Sequence, residues 1–178
     1  MNVRDRNPAS INSTNEIAER VSAINWPQVA QDLDARGNTV IKSLLTPDEC
    51  KALAALYTID ALFRSSVVMA RHGFGRGEYK YFNYPLPDIV AELRTAIYPR
   101  LAPIANRWNE AMIADVRYPA KHAEFIKRCH AAGQLKPTPL LLQYGPDDYN
   151  CLHQDLYGAH VFPLQSTVLL SEPECDFT

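Results

Sequence analysis

The chain has 178 residues, 47% hydrophobic and 21% charged, a balance that buries a core and excludes wholesale disorder or a fibrous repeat. Its 18 Lys plus Arg against 20 Asp plus Glu leave a net charge of -2, so no global positive field recruits nucleic acid or an anionic membrane, and any such contact must rest on a local patch. No apolar run approaches the roughly 20 residues needed to span a bilayer, and Met1 to Ser10 lacks the apolar segment of a secretion signal, so a cytoplasmic protein is the expectation.

Three stretches follow from the patterning: 1-25, a polar leader and short helix; 26-136, a helical support region with a glycine-rich hairpin; and 137-178, a run of short strands. Ser13 or Thr14 can cap a helix through Ile24, and Pro27 can open a second that stops at Gly37, where a left-handed cap suits glycine. Asn38 to Leu44 reads as a strand. Thr46-Pro47-Asp48-Glu49 is a strong helix start, with a capping residue, a proline at the first position and a glutamate to complete a capping box. That helix should run to about Tyr57.

Ser65 to Ala70 and the aromatic Tyr79 to Tyr84 read as strands, joined through Gly73, Gly75 and Gly77 as a hairpin or flap. Ile89, Leu93, Ile97, Leu101 and Ile104 have helical spacing over Pro87 to Arg107, although Pro99 and Pro103 should break or kink that helix. Pro119 to Ala132 predicts another helix, closed by Gly133. Thr138 to Tyr144, a turn at Gly145-Pro146-Asp147-Asp148, Tyr149 to His153 and Phe162 to Leu170 complete the chain as short strands. Helices first and strands last predict an α+β fold, with helices packed outside a sheet.

The segment carrying most chemistry is Gln143 to Asp155. Side chains two apart on a strand share a face, so His153 and Asp155 can offer an imidazole nitrogen and a carboxylate oxygen to one metal. That is two thirds of a facial triad, in which two histidines and a carboxylate hold Fe(II) and leave positions for a co-substrate and O2. A His-x-Asp triplet also arises by chance, so the spacing alone does not settle the chemistry.

From Arg71 to Phe82, the cations Arg71, Arg76 and Lys80 alternate with Phe74, Tyr79, Tyr81 and Phe82. Interleaved cations and aromatics can hold phosphates while stacking a base, as a flap over an extruded nucleotide would; a hairpin packing its aromatics inward is the plainer alternative. His160, seven residues past His153, could swing back as a ligand or be an ordinary loop histidine, and His72 and His130 read as flap and helix-surface residues. The four cysteines, Cys50, Cys129, Cys151 and Cys175, lack zinc-knuckle spacing and read as reduced thiols. Ser166 and Ser171 sit in no nucleophile elbow.

Tyr144, Tyr149, His153 and Asp155 have a spacing that resembles the Tyr, Tyr, His-x-Asp pattern of prolyl-4-hydroxylase-like 2-oxoglutarate/Fe(II) dioxygenases. The runs Phe74-Gly75-Arg76-Gly77-Glu78-Tyr79-Lys80-Tyr81-Phe82, Ala105-Asn106-Arg107-Trp108-Asn109, Pro137-Thr138-Pro139-Leu140-Leu141-Leu142 and Cys151-Leu152-His153-Gln154-Asp155-Leu156-Tyr157-Gly158 are similar to a bacterial branch of that superfamily, described as acting on damaged nucleic acid by oxidative demethylation. The resemblance runs from about Trp26 to Thr178.

It implies a double-stranded β-helix of the jelly-roll or cupin kind, Fe(II) held by His153 and Asp155, 2-oxoglutarate and O2 as co-substrates, and Tyr144 and Tyr149 lining the co-substrate pocket. It also implies methylated nucleic acid as substrate, with prolyl or small-molecule hydroxylation as the runner-up. In the family, Gly-Gly-Glu-Phe and further strands follow the position of Thr178 and bring a distal iron histidine and a basic residue for 2-oxoglutarate. The β-helix is therefore expected to be partial, with weak iron binding and with Val161, Phe162, Leu164, Val168, Leu169 and Leu170 facing missing partners. A second expectation, of another class, is a non-catalytic fragment or pseudoenzyme that binds a protein partner through an open sheet edge.

Overall fold

The protein is described by a computed structural model, covering residues 14–155 and 158–172. The described residues form an α+β fold with five α-helices and two small antiparallel sheets. Helix α1 spans Thr14–Ala23, α2 Trp26–Arg36 and α3 Pro47–Ala55; strand β1 spans Phe63–Val68, β2 Gly75–Arg76 and β3 Glu78–Phe82; then come α4 at Asp88–Ala111, α5 at His122–Ala131, β4 at Leu140–Gln143 and β5 at Tyr149–Asn150. No helix among the described residues is long and apolar enough to cross a membrane.

Local signals set the helix ends. The Asn25 side chain accepts from the Gln28 amide at 3.2 Å, and Gly37 closes α2 at φ 72° with its N–H on the Leu33 carbonyl. At α3 the capping box is complete: Glu49 N–H donates to Thr46 Oγ1 at 3.2 Å, and Thr46 N–H donates to Glu49 Oε2 at 2.7 Å. Arg20 of α1 forks onto the same Glu49 carboxylate at 2.7 and 2.8 Å, so one glutamate both caps α3 and ties it to α1.

The 24-residue α4 is the axis of the molecule. It supplies Leu93 and Ile97 to one cluster with Ile17, Val21, Leu45 and Leu53, and Ile104 to a second with Val29 and Leu33. Its Tyr98, Ala102 and Ala105 form a third with Tyr118, Phe125 and Cys129. Of the expected break or kink at Pro99 and Pro103, the break does not occur: α4 runs through both prolines as one helix. Thr95, Pro99 and Pro103, four residues apart, lie on one exposed stripe, so the carbonyls that lose their helical donors are on the water side. Burial of Tyr98, Ala102, Ile104 and Ala105 on the other side offsets a cost of about 3 kcal/mol per internal proline.

Two expected strands are not strands. Residues 38–45 run as turns between α2 and α3, held by Arg20 Nε to the Leu44 carbonyl at 2.8 Å and by Thr39 Oγ1 to Asp32 Oδ2 at 3.2 Å. Residues 162–170 are irregular as well. Their apolar side chains do find partners: Phe162 and Leu164 pack on the clusters built around α4 and α5, and Leu170 packs on the α1–α3–α4 cluster. The Tyr118 hydroxyl donates to the Val161 carbonyl at 2.6 Å. Helix surfaces thus cover apolar positions that the sequence pattern assigned to a sheet, leaving Leu169 and Val168 exposed.

One sheet has the order β1-β3-β4 and the other β2-β5, all antiparallel. Glu78 pairs with Gln143, and Arg76 pairs with Tyr149. Between these pairs stands the single residue Gly77 on one side and Tyr144 to Asp148 on the other. β4 and β5 therefore both run along the β2–β3 segment in the same sense, and the Gly145-Pro146-Asp147-Asp148 turn is an excursion from that line instead of a reversal onto β4. Asp148 N–H to the Gly145 carbonyl at 3.2 Å and Gly145 N–H to Asp148 Oδ2 at 2.8 Å close the excursion, with Asp147 at φ 62°.

Candidate functional site

The second sheet delivers the His153 segment. Gly75 opposes Asn150, and the ladder continues one bond further as Cys151 N–H donates to the Phe74 carbonyl at 2.8 Å. Glycine is required at 75, since at φ +120° a Cβ would overlap the Tyr149 carbonyl oxygen. Beyond Cys151 strand pairing stops, so His153 and Asp155 do not stand on a paired strand as the alternation argument assumed.

They nevertheless converge. His153 Nδ1 lies 2.8 Å from the Cys151 carbonyl oxygen, and His153 Nε2 lies 3.6 Å from Asp155 Oδ1. A carbonyl only accepts, so Nδ1 carries the proton and Nε2 presents its lone pair in the neutral imidazole. Two lone-pair donors facing one another repel unless a proton or a cation lies between them. A histidine fixed by one nitrogen on a carbonyl, with the other nitrogen beside a carboxylate, is the donor arrangement that divalent metals take. Both side chains are half-exposed, and Gln165 Nε2 reaches Asp155 Oδ2 at 3.5 Å. Two donors fit a metal, but no third His, Cys, Asp or Glu joins them among the described residues.

The other histidines are engaged elsewhere. His160 is held through its backbone, its N–H donating to Gln134 Oε1 at 2.8 Å and its carbonyl accepting from Gln134 Nε2 at 3.1 Å. His130 meets Tyr84 edge-on, and His72 stacks on Phe74. His122, packed on Tyr98, is pushed down to about 4 by burial, with the Arg94 guanidinium adding to the shift. Cys50, Cys129 and Cys151 are free thiols, and Cys175 lies outside the described residues.

Tyr144 and Tyr149 stand at the two ends of the excursion. The Tyr144 ring lies against Gly77, where a Cβ would come within 2.8 Å of its Cδ1; burial pushes its phenol up, opposed by a hydrogen bond from Asn150. Tyr149 is the cross-strand neighbour of Arg76 and is 55% exposed.

The flap candidates separate into two groups. Lys80 Nζ is bonded to Asp60 Oδ1 at 2.7 Å and to the Tyr57 carbonyl at 3.0 Å, and lies 4.6 Å from the Tyr57 ring centroid. Its pKa is raised, first by the Asp60 hydrogen bond. The Tyr81 ring carries the Arg64 guanidinium at 4.3 Å and meets Tyr79 edge-on at 5.5 Å. Arg71 and Arg76, by contrast, are exposed and make no ion pair among the described residues. Sequence reasoning did not find the Cys151 carbonyl that orients His153, because a backbone group leaves no residue signature. Nor did it single out the His72–Phe74 stack, whose signal is two aromatic rings flanking a glycine.

Two shallow grooves, of about 280 and 490 Å³, lie between α2 and residues 39–42 and over β1 and β3. Neither is lined by His153 or Asp155, so groove size does not identify this site, and donor chemistry is the better guide.

A family model described as "Oxygenase, catalysing oxidative methylation of damaged DNA" matches residues 77–178. Two curated proteins of Mycobacterium tuberculosis, the uncharacterized proteins MT2286 and Rv2227 of two strains, are each 45% identical over 97 residues, covering 54% of this chain and 42% of their own. The matched part of the chain thus spans about two fifths of the length of these relatives. No solved structure matches.

Proposed function

From the premise that this chain belongs to the family of oxygenases catalysing oxidative methylation of damaged DNA, we propose that it carries part of the metal site of an Fe(II)/2-oxoglutarate-dependent dioxygenase that oxidises N-methyl groups on damaged nucleobases. The observation that carries the reading is the pair His153 Nε2 and Asp155 Oδ1, 3.6 Å apart, with Nδ1 occupied by the Cys151 carbonyl.

His153 and Asp155 would hold the metal from one side. When bound, Fe(II) would let O2 act as the oxidant, one oxygen atom going into the substrate C–H bond and the other into 2-oxoglutarate, which is oxidised to succinate and CO2; at an N-methyl group the hydroxylated carbon would leave as formaldehyde and the base would regain its N–H. The protein's own contribution is positioning. The Cys151 carbonyl fixes the imidazole tautomer, the β2–β5 ladder fixes the backbone that bears it, and Tyr144 and Tyr149 can offer phenolic O–H groups to a carboxylate co-substrate. β4 and β5 would be the first strands of a double-stranded β-helix, and the remaining ligands would come from strands outside the described residues.

Calorimetric titration of the chain with Fe(II) under anaerobic conditions tests the reading. Stoichiometric binding that His153→Ala and Asp155→Asn each weaken by more than about 10-fold, the lower end of what losing even a ligand's hydrogen-bond partner costs, would support it. Unchanged affinity in His153→Ala would mean that iron sits elsewhere, and no binding by the unmodified chain would favour a non-catalytic, protein-binding role.

A further inference from the structure

We infer that the stacked rings of His72 and Phe74, flanked by Arg71 and Arg76, form a platform that stacks an unpaired base and holds its phosphates, so that single-stranded nucleic acid is captured beside the His153 segment. The inference rests on the family reading for the class of ligand, but its chemistry is independent of the metal.

Residues 69–77 form a closed loop. Met69, fully buried, anchors it; Met69 N–H donates to the Gly77 carbonyl at 3.0 Å, and Phe74 N–H donates back to the Met69 carbonyl at 3.1 Å across Gly73 at φ 70°. The loop therefore presents its side chains from a fixed backbone, which lowers the ordering cost of binding. On it the His72 and Phe74 rings stack at 5.3 Å between centroids and 23° between planes. Phe74 remains 45% exposed. A stacked aromatic pair held at a loop tip, away from the buried clusters, offers a flat π surface to any base irrespective of sequence.

The charges fit the same occupant. Arg71 and Arg76 flank the rings without carboxylate partners among the described residues, whereas Lys80 is paired with Asp60. The acidic Glu78 acts on Tyr57 and Lys80, on the Asp60 side of β3. In a chain of net charge -2, two exposed guanidinium groups, one on each side of the His72–Phe74 pair in sequence, make a local cationic patch for anions. Phosphates with a base between them satisfy both features, and a single strand offers an unstacked base at the least cost, with no pairing to break. The Phe74 carbonyl accepts from Cys151 N–H, so a base on this platform lies on the backbone that leads within two residues to His153. Tyr149, the cross-strand partner of Arg76, is a further exposed ring on this sheet.

Fluorescence anisotropy with a labelled oligothymidine dodecamer, measured with the full chain and without metal or 2-oxoglutarate, tests the platform. We expect binding that His72→Ala with Phe74→Ala weakens about tenfold or more, that Phe74→Trp retains with quenching of the new indole, and that Phe74→Leu fails to retain. Arg71→Ala and Arg76→Ala should each lower the slope of log affinity against log salt by about 0.7, while Lys51→Ala on α3 leaves it unchanged. No binding, equal binding of a duplex, or a His72→Ala/Phe74→Ala variant within twofold of the parent at unchanged circular dichroism would overturn the inference. Loss of iron binding in His153→Ala leaves these outcomes untouched, so the two readings fail separately.

Discussion

The carbonyl oxygen of Tyr149 occupies the space that a Cβ on Gly75 would need, and Gly75 holds φ at +120°. Gly75→Ala therefore combines backbone strain with a steric overlap and should cost about 1–3 kcal/mol. Gly73 also has a positive φ but has nothing within 4 Å of its missing Cβ, so Gly73→Ala should cost only about 1 kcal/mol, the penalty of the left-handed region. Urea denaturation of both variants checks the difference, and amide exchange at Cys151, whose N–H donates to the Phe74 carbonyl, should accelerate only in Gly75→Ala. Equal effects at the two glycines would mean that the β2–β5 approach is looser than described.

Glu49 caps α3 and receives Arg20. Thr46→Ala should cost about 1 kcal/mol, and Glu49→Ala about 2–3 kcal/mol, since charged hydrogen bonds at a half-buried site are lost with it. Burial pushes the Glu49 carboxyl up, but the Thr46 N–H and the Arg20 guanidinium outweigh it and hold the group below its ordinary value. A depressed carboxylate stabilises the fold above pH 4.5, and that stability is lost as the pH falls through the folded value. Unfolding midpoints at pH 6 and pH 3 should therefore differ less in Glu49→Gln than in the parent.

His122 is held neutral by burial, at about 4. The unfolded chain takes up this proton near pH 6.5, and the folded chain does not until about 4. Stability should decline as the pH falls from 6.5 toward 4 and level off below. His122→Gln should flatten the upper part of that window, between pH 6.5 and 5, where carboxylates do not yet titrate. An imidazole titrating near 6.5 in the folded protein, seen by nuclear magnetic resonance, would show that the ring is hydrated.

Phe162 meets Tyr98, Tyr118 and Phe125 at centroid distances of 5.3, 4.9 and 5.9 Å. Phe125→Ala should cost about 3–5 kcal/mol. In a double-mutant cycle with Phe162→Ala, a coupling of about 0.5–1.5 kcal/mol is expected. A coupling near zero would detach the 160–170 segment from the helices.

What the sequence determined by itself is what closes within one turn of chain. Thr46-Pro47-Asp48-Glu49 starts α3 and Gly37 ends α2 because their partners lie within four residues. The α+β class follows likewise from the order of periodic segments. His153 and Asp155 meet although the expected strand does not extend to them, because one intervening residue and a bond from His153 to the Cys151 carbonyl suffice.

Tertiary structure decided everything that needs a distant partner. Residues 38–45 and 162–170 have strand-like composition, but a strand exists only where another strand supplies its ladder; here helices supply the apolar contacts instead. Pro99 and Pro103 stay helical because packing turned their stripe to water, where the carbonyls deprived of helical donors can be hydrated. The junction of the Phe74 loop with Cys151 is a backbone bond between residues 77 apart, and no side-chain pattern encodes it. Only the fold brings the exposed rings to the segment that carries His153.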